Sequence, residues 1–178
     1  MFNYLYLFSG ASMKVLYTLA FDPLRLYYQR EVANEADISV GSANRVLPDL
    51  VSNGFVMKEE KGKIHIYRYN IDDPAARQLK VFFNVLELKE MVEGIKPYAK
   101  RVIMFGSCSE GTDVKDSDVD LFILTDEKNV VTESLRSFNI RRSMSPIIVD
   151  ANDYVNLRNQ DRPLYDEVLR GITLWERE

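Results

Sequence analysis

Phe105-Gly106-Ser107-Cys108-Ser109-Glu110-Gly111-Thr112-Asp113-Val114-Lys115-Asp116-Ser117-Asp118-Val119-Asp120-Leu121 is the stretch whose reading decides the fold. An apolar run, Arg101-Val102-Ile103-Met104-Phe105, leads into it and predicts a strand. The chain turns at Gly106-Ser107, crosses ten residues (108 to 117), and enters a second apolar run that carries Asp118-x-Asp120. Carboxylates at i and i+2 of a strand point to one side of the sheet. Two anionic oxygen ligands on one side suit a Mg²⁺ ion that also binds a nucleotide. The Gly106-Ser107 turn can offer backbone N–H groups and a hydroxyl to phosphate oxygens.

Strand, Gly-Ser turn, ten-residue spacer and Ser-Asp-x-Asp-Leu together resemble the signature of the nucleotidyltransferase superfamily of polymerase beta type, in its minimal form. The resemblance covers roughly residues 98 to 176. It implies a site in which Asp118 and Asp120 bind metal and Gly106 and Ser107 hold the phosphates of a nucleoside triphosphate, ATP first among them. Members of the family usually carry a third carboxylate on the strand after the intervening helix. Asp150, at the end of the apolar run Pro146-Ile147-Ile148-Val149, is the best match as a catalytic and metal-binding residue, and Asp153 is the fallback. Asp150 also reads as the cap of a helix starting near Ala151. One departure is clear: Glu110 stands before Gly111 where the family often has a basic residue, with Lys115, Arg141 or Arg142 available to compensate.

Around the motif, 119–124 reads as a strand, 127–138 as a helix and 163–175 as a helix, a Gly171 stop and a last short strand. Residues 10–70 read differently, as three helices and a β-hairpin. Ser12 is a candidate cap for the first helix, which ends at Asp22-Pro23; a second helix spans about Leu26 to Ala36. The third, capped by Ser39 or Ser42, carries Ala43, Val46, Leu47 and Leu50 and stops at Asn53-Gly54, with Pro48 expected to bend it or shift its start. The hairpin turns at Lys61-Gly62-Lys63, and Ile64 to Tyr69 alternates as a half-buried strand should. This order resembles a winged helix-turn-helix domain. By position in such domains, Ser42, Asn44 and Arg45 face the DNA major groove, while Lys61 and Lys63 sit at the wing tip beside phosphates.

The expected fold class is therefore α+β: an N-terminal winged helix of three helices plus a β-hairpin (1–70), a connecting helix (71–97), and a C-terminal nucleotidyltransferase-fold α/β domain with a mixed sheet (98–178). Asp73 with Pro74 at N1 starts the connector, whose broad apolar stripe suits packing within the chain or a homodimer contact.

Charge and composition narrow the function. The chain has 178 residues, 46% hydrophobic, and a net charge of −4. Residues 1–70 carry a net +1 and the rest a net −5, which excludes a wholly basic nucleic-acid coat protein and makes the winged helix only weakly basic. The single cysteine, Cys108, excludes an intramolecular disulfide and fits a reducing cytoplasm. Cys108 reads as a small residue packed in a tight turn rather than a nucleophile; the one histidine is His65. No run of 18 apolar residues predicts a membrane span, and the apolar start, residues 1–8, suits packing or a dimer contact.

The expected activity is Mg²⁺-dependent transfer of a nucleoside monophosphate, AMP from ATP, to an acceptor hydroxyl. The acceptor alternatives are a small helical toxin-like protein, by resemblance to antitoxin-like minimal transferases, an aminoglycoside-type small molecule, or an RNA end. A reading of another class is a DNA-binding transcriptional regulator whose transferase-like domain only binds nucleotide.

Overall fold

A computed structural model describes residues 10–62 and 64–177 of the chain. The apolar start and Lys63 at the wing tip lie outside the described residues. The chain divides into two units, one up to Lys80 and one from Val81.

The first unit is a winged helix. Helices α1 (Gly10–Phe21), α2 (Gln29–Glu35) and α3 (Val40–Ser52) precede a hairpin of β2 (Val56–Lys61) and β3 (Ile64–Tyr69). Val15, Leu16 and Leu19 of α1, Val32 and Ala33 of α2, and Ala43, Leu47 and Leu50 of α3 are buried together with Phe55, Tyr67 and Tyr69. Full burial of a Leu or Val side chain stabilises by roughly 1.5–3 kcal/mol. These residues recur at helical spacing, which is why the three helices were legible. Ser39 caps α3, its Oγ accepting from the Ser42 N–H at 3.0 Å. Pro48 lies inside α3 without ending it. Both Pro48 and Asn44, whose carbonyl the proline cannot satisfy, are exposed, so water can take the missing partner's place.

Two expectations need correction. Ser12 does not cap α1; it is buried within the helix, which begins at Gly10. The expected second helix gives up its first residues to a short strand, β1 (Tyr27–Tyr28), which pairs antiparallel with Ile66 and Tyr67 of β3. Aromatic residues favour such a pleated, half-buried surface. Helix α2 then starts with the Tyr28 N–H donating to Glu31 Oε2 at 2.7 Å.

Helix α4 (Pro74–Ile95) begins as its sequence implies, with Asp73 Oδ1 accepting from the Ala76 N–H at 2.9 Å. Its residues from Val81 onward belong to the second unit. There the order is β4 (Ala99–Phe105), α5 (Gly106–Glu110), β5 (Val119–Thr125), α6 (Lys128–Ser137), β6 (Met144–Val149), α7 (Ala151–Gln160), α8 (Arg162–Arg170) and β7 (Ile172–Glu176). The sheet order is β6-β5-β4-β7. β5 and β6 are parallel and the other pairs antiparallel, so the sheet is mixed.

Alternation along the strands divides the core between two faces. Val102, Met104, Leu121 and Ile123 are buried with Leu88, Met91, Val92 and Ile95 of α4 and Val131 and Leu135 of α6. Ile103, Phe105, Phe122 and Val149 are buried with Val168 of α8, and Tyr154 and Leu157 of α7 pack against them. No helix among the described residues is long and apolar enough to cross a membrane.

Candidate active site

The Gly106-Ser107 turn is the opening of α5, a short helix that starts directly from the end of β4. Gly106 has φ of 65°, which favours glycine. A Cβ placed there would stand 2.6 Å from Asp120 Oδ2. The turn and the carboxylate are therefore in direct contact, as the strand register requires: Phe105 pairs with Asp120 across β4 and β5. Gly111, φ 70°, ends α5 in a left-handed cap. Both glycines of the motif are thus demanded by backbone geometry. Ser107 is half-buried; its carbonyl accepts from the Thr112 N–H at 3.0 Å, while its hydroxyl makes no hydrogen bond among the described residues.

Asp120 is the second residue of β5, partly buried, whereas Asp118 precedes the strand and is exposed. The two are brought together, but only Asp120 is a strand residue. Burial, then Glu167, then Asp118 push the Asp120 carboxyl above the ordinary range. No cation pairs with either aspartate among the described residues. An uncompensated pair of carboxylates beside a glycine turn is the donor set a divalent cation needs. Mg²⁺ is commonly bound by one or two carboxylates with the remaining positions taken by phosphates and water. The residues present fit one such ion held by Asp118, Asp120 and a nucleotide. No ready-made group of three His, Cys, Asp or Glu side chains exists among the described residues.

The structure does not bring Asp150 to this pair. In the parallel ladder Asp120 is opposite Ser145, and Leu124 is opposite Val149. Asp150 therefore follows the far end of β6, about 16 Å along the sheet at ~3.3 Å per residue. It caps α7 there, its Oδ1 accepting from the N–H groups of Asn152 and Asp153 at 2.9 Å each. Lys128 Nζ lies 2.9 Å from its other oxygen and also pairs with Asp153. The Asp153 N–H and the Lys128 ammonium hold the Asp150 carboxyl below the ordinary range. The capping role is the one the structure gives it. Asp153, the fallback, is engaged at the same distant end.

The spacer is pinned from beneath. Asp113, fully buried, accepts from Arg142 Nη1 and from Asn84 Nδ2 at 2.9 Å. Arg142 Nη2 reaches Asn84 Oδ1 at 2.9 Å and Glu87 Oε2 at 3.0 Å. Burial opposes the charge on Arg142, but Cys108, Asp113 and Glu87 outweigh it and the pKa is raised. Arg142 is therefore a structural cation, not the phosphate ligand that Glu110 left wanting. Cys108 is buried, donating to the Asp118 carbonyl at 3.5 Å and accepting from Arg142 at 3.4 Å. It packs as a small turn residue.

Sequence reasoning missed Glu167, an exposed carboxylate in the last turn of α8 whose field reaches Asp120. The available signal was its place beside buried Val168 in an amphipathic helix, which shows that it is exposed but not what it is near.

A family model described as "Polymerase beta, Nucleotidyltransferase" matches residues 87–178. The chain belongs to the polymerase beta nucleotidyltransferase family. No curated protein matches it. A crystal structure of a candidate nucleotidyltransferase from Sulfolobus solfataricus is 19% identical, covering 57% of this chain and 87% of that one, with a TM-score of 0.39. TrmBL2, an archaeal chromatin protein whose structure shows a novel mode of DNA binding, is 16% identical over 94% of this chain and 72% of its own, with a TM-score of 0.30. In this nucleotidyltransferase the winged helix exposes Asn44 and Arg45 on α3, with Asp49 exposed beside them. Ser42 is half-buried and tied into the cap by the Ser39 hydroxyl at 3.0 Å. Lys61 is exposed at the end of β2, but the wing also carries exposed Glu59 and Glu60, the latter 2.6 Å from Lys58.

Proposed function

We propose that this nucleotidyltransferase binds a nucleoside triphosphate, ATP, as its Mg²⁺ complex and transfers AMP to an acceptor hydroxyl. The observation that carries the reading is the unpaired Asp118–Asp120 set in contact with the Gly106 turn. When bound, Mg²⁺ would be held by Asp118 and Asp120 and would neutralise charge on the phosphates of the nucleotide. Gly106 admits the approach of a phosphate because nothing projects from its Cα. Ser107 offers a free hydroxyl, and the first N–H groups of α5 have no intrahelical partner. The acceptor oxygen displaces pyrophosphate in line from the α-phosphorus, a reaction that needs positioning and charge stabilisation more than covalent help.

The acceptor we favour is a hydroxyl on a small helical protein partner, which the likeness to antitoxin-like minimal transferases supports. Calorimetry with a non-hydrolysable ATP analogue and Mg²⁺ tests the site. The wild type should bind and the Asp118→Ala/Asp120→Ala double variant should not; equal binding by the two sinks the reading.

Ser145 favours a second reading. A hydroxyl, not a carboxylate, stands opposite Asp120, which suits a domain that holds nucleotide without transferring it. The protein would then be a DNA-binding regulator, with Asn44, Arg45 and Lys61 meeting double-stranded DNA and a function in the cytoplasm. A salt-dependent mobility shift on DNA from its own promoter, with no pyrophosphate released, would select this reading. Release of pyrophosphate by the wild type alone would select the first.

A further inference from the structure

Asn84, buried on α4 beneath the spacer, also holds the backbone of α5. Its amide is turned by its neighbours. Oδ1 accepts from Arg142 Nη2 at 2.9 Å, and a guanidinium can only donate. Nδ2 is thereby aimed the other way, donating to Asp113 Oδ1 at 2.9 Å and to the Cys108 carbonyl at 2.9 Å. That carbonyl draws this donor from outside its own helix. The N–H groups of Gly111 and Thr112, which follow it at helical spacing, both donate to the Ser107 carbonyl instead. Asn84 thus supplies a bond that the left-handed end of α5 leaves unmade. Cys108 in turn donates through its thiol to the Asp118 carbonyl at 3.5 Å. One buried residue therefore joins Asn84 both to the Gly106-Ser107 turn and to the backbone of Asp118.

We infer that Asn84 is a positioning residue for the candidate site: its Nδ2, held on the Cys108 carbonyl, sets where the Ser107 hydroxyl and the Gly106 turn stand against Asp118 and Asp120. The inference rests on the proposed binding of nucleotide by that turn and that pair. Helix α5 has five residues, too few to keep an orientation by its own bonds. Its start is fixed by β4, whose last residue, Phe105, pairs with Asp120. Its far end is fixed by Asn84. Without the Asn84 bond, α5 can turn about its start and carry the Ser107 hydroxyl away from the aspartates. A reaction that depends on positioning is sensitive to displacements of that kind. Asn84 itself is buried and acts only through Cys108.

The test exchanges the two ends of one hydrogen bond. Asn84→Asp/Asp113→Asn keeps the charge and leaves each bond among positions 84, 113 and 142 with a donor and an acceptor. It changes what meets the Cys108 carbonyl, from an N–H to a carboxylate oxygen. Glu87→Gln is the comparison: it loosens the hold on Arg142, 3.0 Å from Glu87 Oε2, and leaves the Asn84–Cys108 bond in place. Circular dichroism gives the melting temperatures, and calorimetry gives the affinity for α,β-methylene ATP with Mg²⁺. The exchanged variant should melt near the wild type yet bind about tenfold more weakly, the scale of one hydrogen bond taken from a buried acceptor. Glu87→Gln should melt lower and bind like the wild type. In the wild type, the Asn84 side-chain N–H resonances should shift as the analogue is added. Wild-type affinity in the exchanged variant, with binding abolished in Asp118→Ala/Asp120→Ala, would refute the role of Asn84 and leave the site itself standing. Affinity that falls in step with melting temperature in both variants would also refute it, because Asn84 would then serve stability alone. If the exchanged variant fails to fold, unmoved Asn84 resonances with the analogue bound would overturn the inference on the wild type alone. No binding by the wild type would overturn both the inference and the reading beneath it.

Discussion

The two ends of the parallel pair β5–β6 carry aspartates in opposite circumstances. At one end Asp120 faces Ser145, touches the Gly106 turn, and feels only anions, so its carboxyl is pushed up. At the other end Asp150 sits on the first N–H groups of α7 beside the Lys128 ammonium, so its carboxyl is pulled down. Residue type is the same and sequence context is similar, an acid flanking an apolar strand. The difference is what the surroundings leave unsatisfied. Asp150 has spent its charge on the fold, while Asp120 keeps its charge available for a ligand. That surplus, rather than a place in a motif, is what makes an acid a candidate for a functional site.

The largest effect should come from removing the available charge. Asp118→Ala/Asp120→Ala should abolish Mg²⁺–nucleotide binding in calorimetry, whereas Asp150→Asn should bind like the wild type. Loss in both would erase the contrast. Gly106→Ala comes next. The left-handed backbone costs a side chain roughly 1–2 kcal/mol, and the new Cβ would collide with Asp120. Its melting temperature should fall and its nucleotide affinity drop about tenfold, a loss of ~1.4 kcal/mol.

Stability against pH sharpens the comparison further, measured by thermal melts in EDTA. The depressed pKa of Asp150 stabilises the fold above the ordinary carboxylate pKa, and this is lost as pH falls through the folded value. Asp150→Asn should therefore melt below the wild type at pH 7, with the gap closing in acid. The raised pKa of Asp120 has the opposite sign: it penalises the fold above the folded value, and the penalty vanishes as pH falls below the ordinary value. Asp120→Asn should melt above the wild type at pH 7 and converge with it in acid. Shifts of the same sign would break the comparison. Lys128→Met should give the smallest change, a slight lowering of the melting temperature, because exposed ion pairs contribute little.

What was legible in the sequence was local. The strand, glycine turn and Asp118-Val119-Asp120 step lie within one short stretch, and the capping of α3 by Ser39 and of α4 by Asp73 is fixed by immediate neighbours. Family membership followed from the same stretch. What escaped depended on how distant segments meet. The register of β6 against β5 decides that Ser145, not Asp150, faces Asp120, and nothing in residues 144–150 alone sets that register. The pairing of Tyr27 and Tyr28 with β3 is a contact across some forty residues. The packing of α8 on the sheet rests on Val168, buried with Phe105 and Phe122, and on the close approach of Gly171 to β4, contacts that its own segment does not announce.

The buried bonds between Arg142, Asp113, Asn84 and Glu87 have a consequence for any attempt to cut or graft this protein. Asn84 and Glu87 lie in the later turns of α4, so the spacer that carries Asp113 is closed by a helix preceding the first strand of its sheet. A transferase piece excised at Pro97 would keep Arg142 and Asp113 but lose two of the groups that satisfy them. Leaving buried charge underpaired is among the costliest single changes a fold can suffer. An excised piece that starts at Val81 keeps the lattice whole. In a chimaera, α4 beyond that point travels with the catalytic cargo and cannot be exchanged as though it were a spacer between two modules.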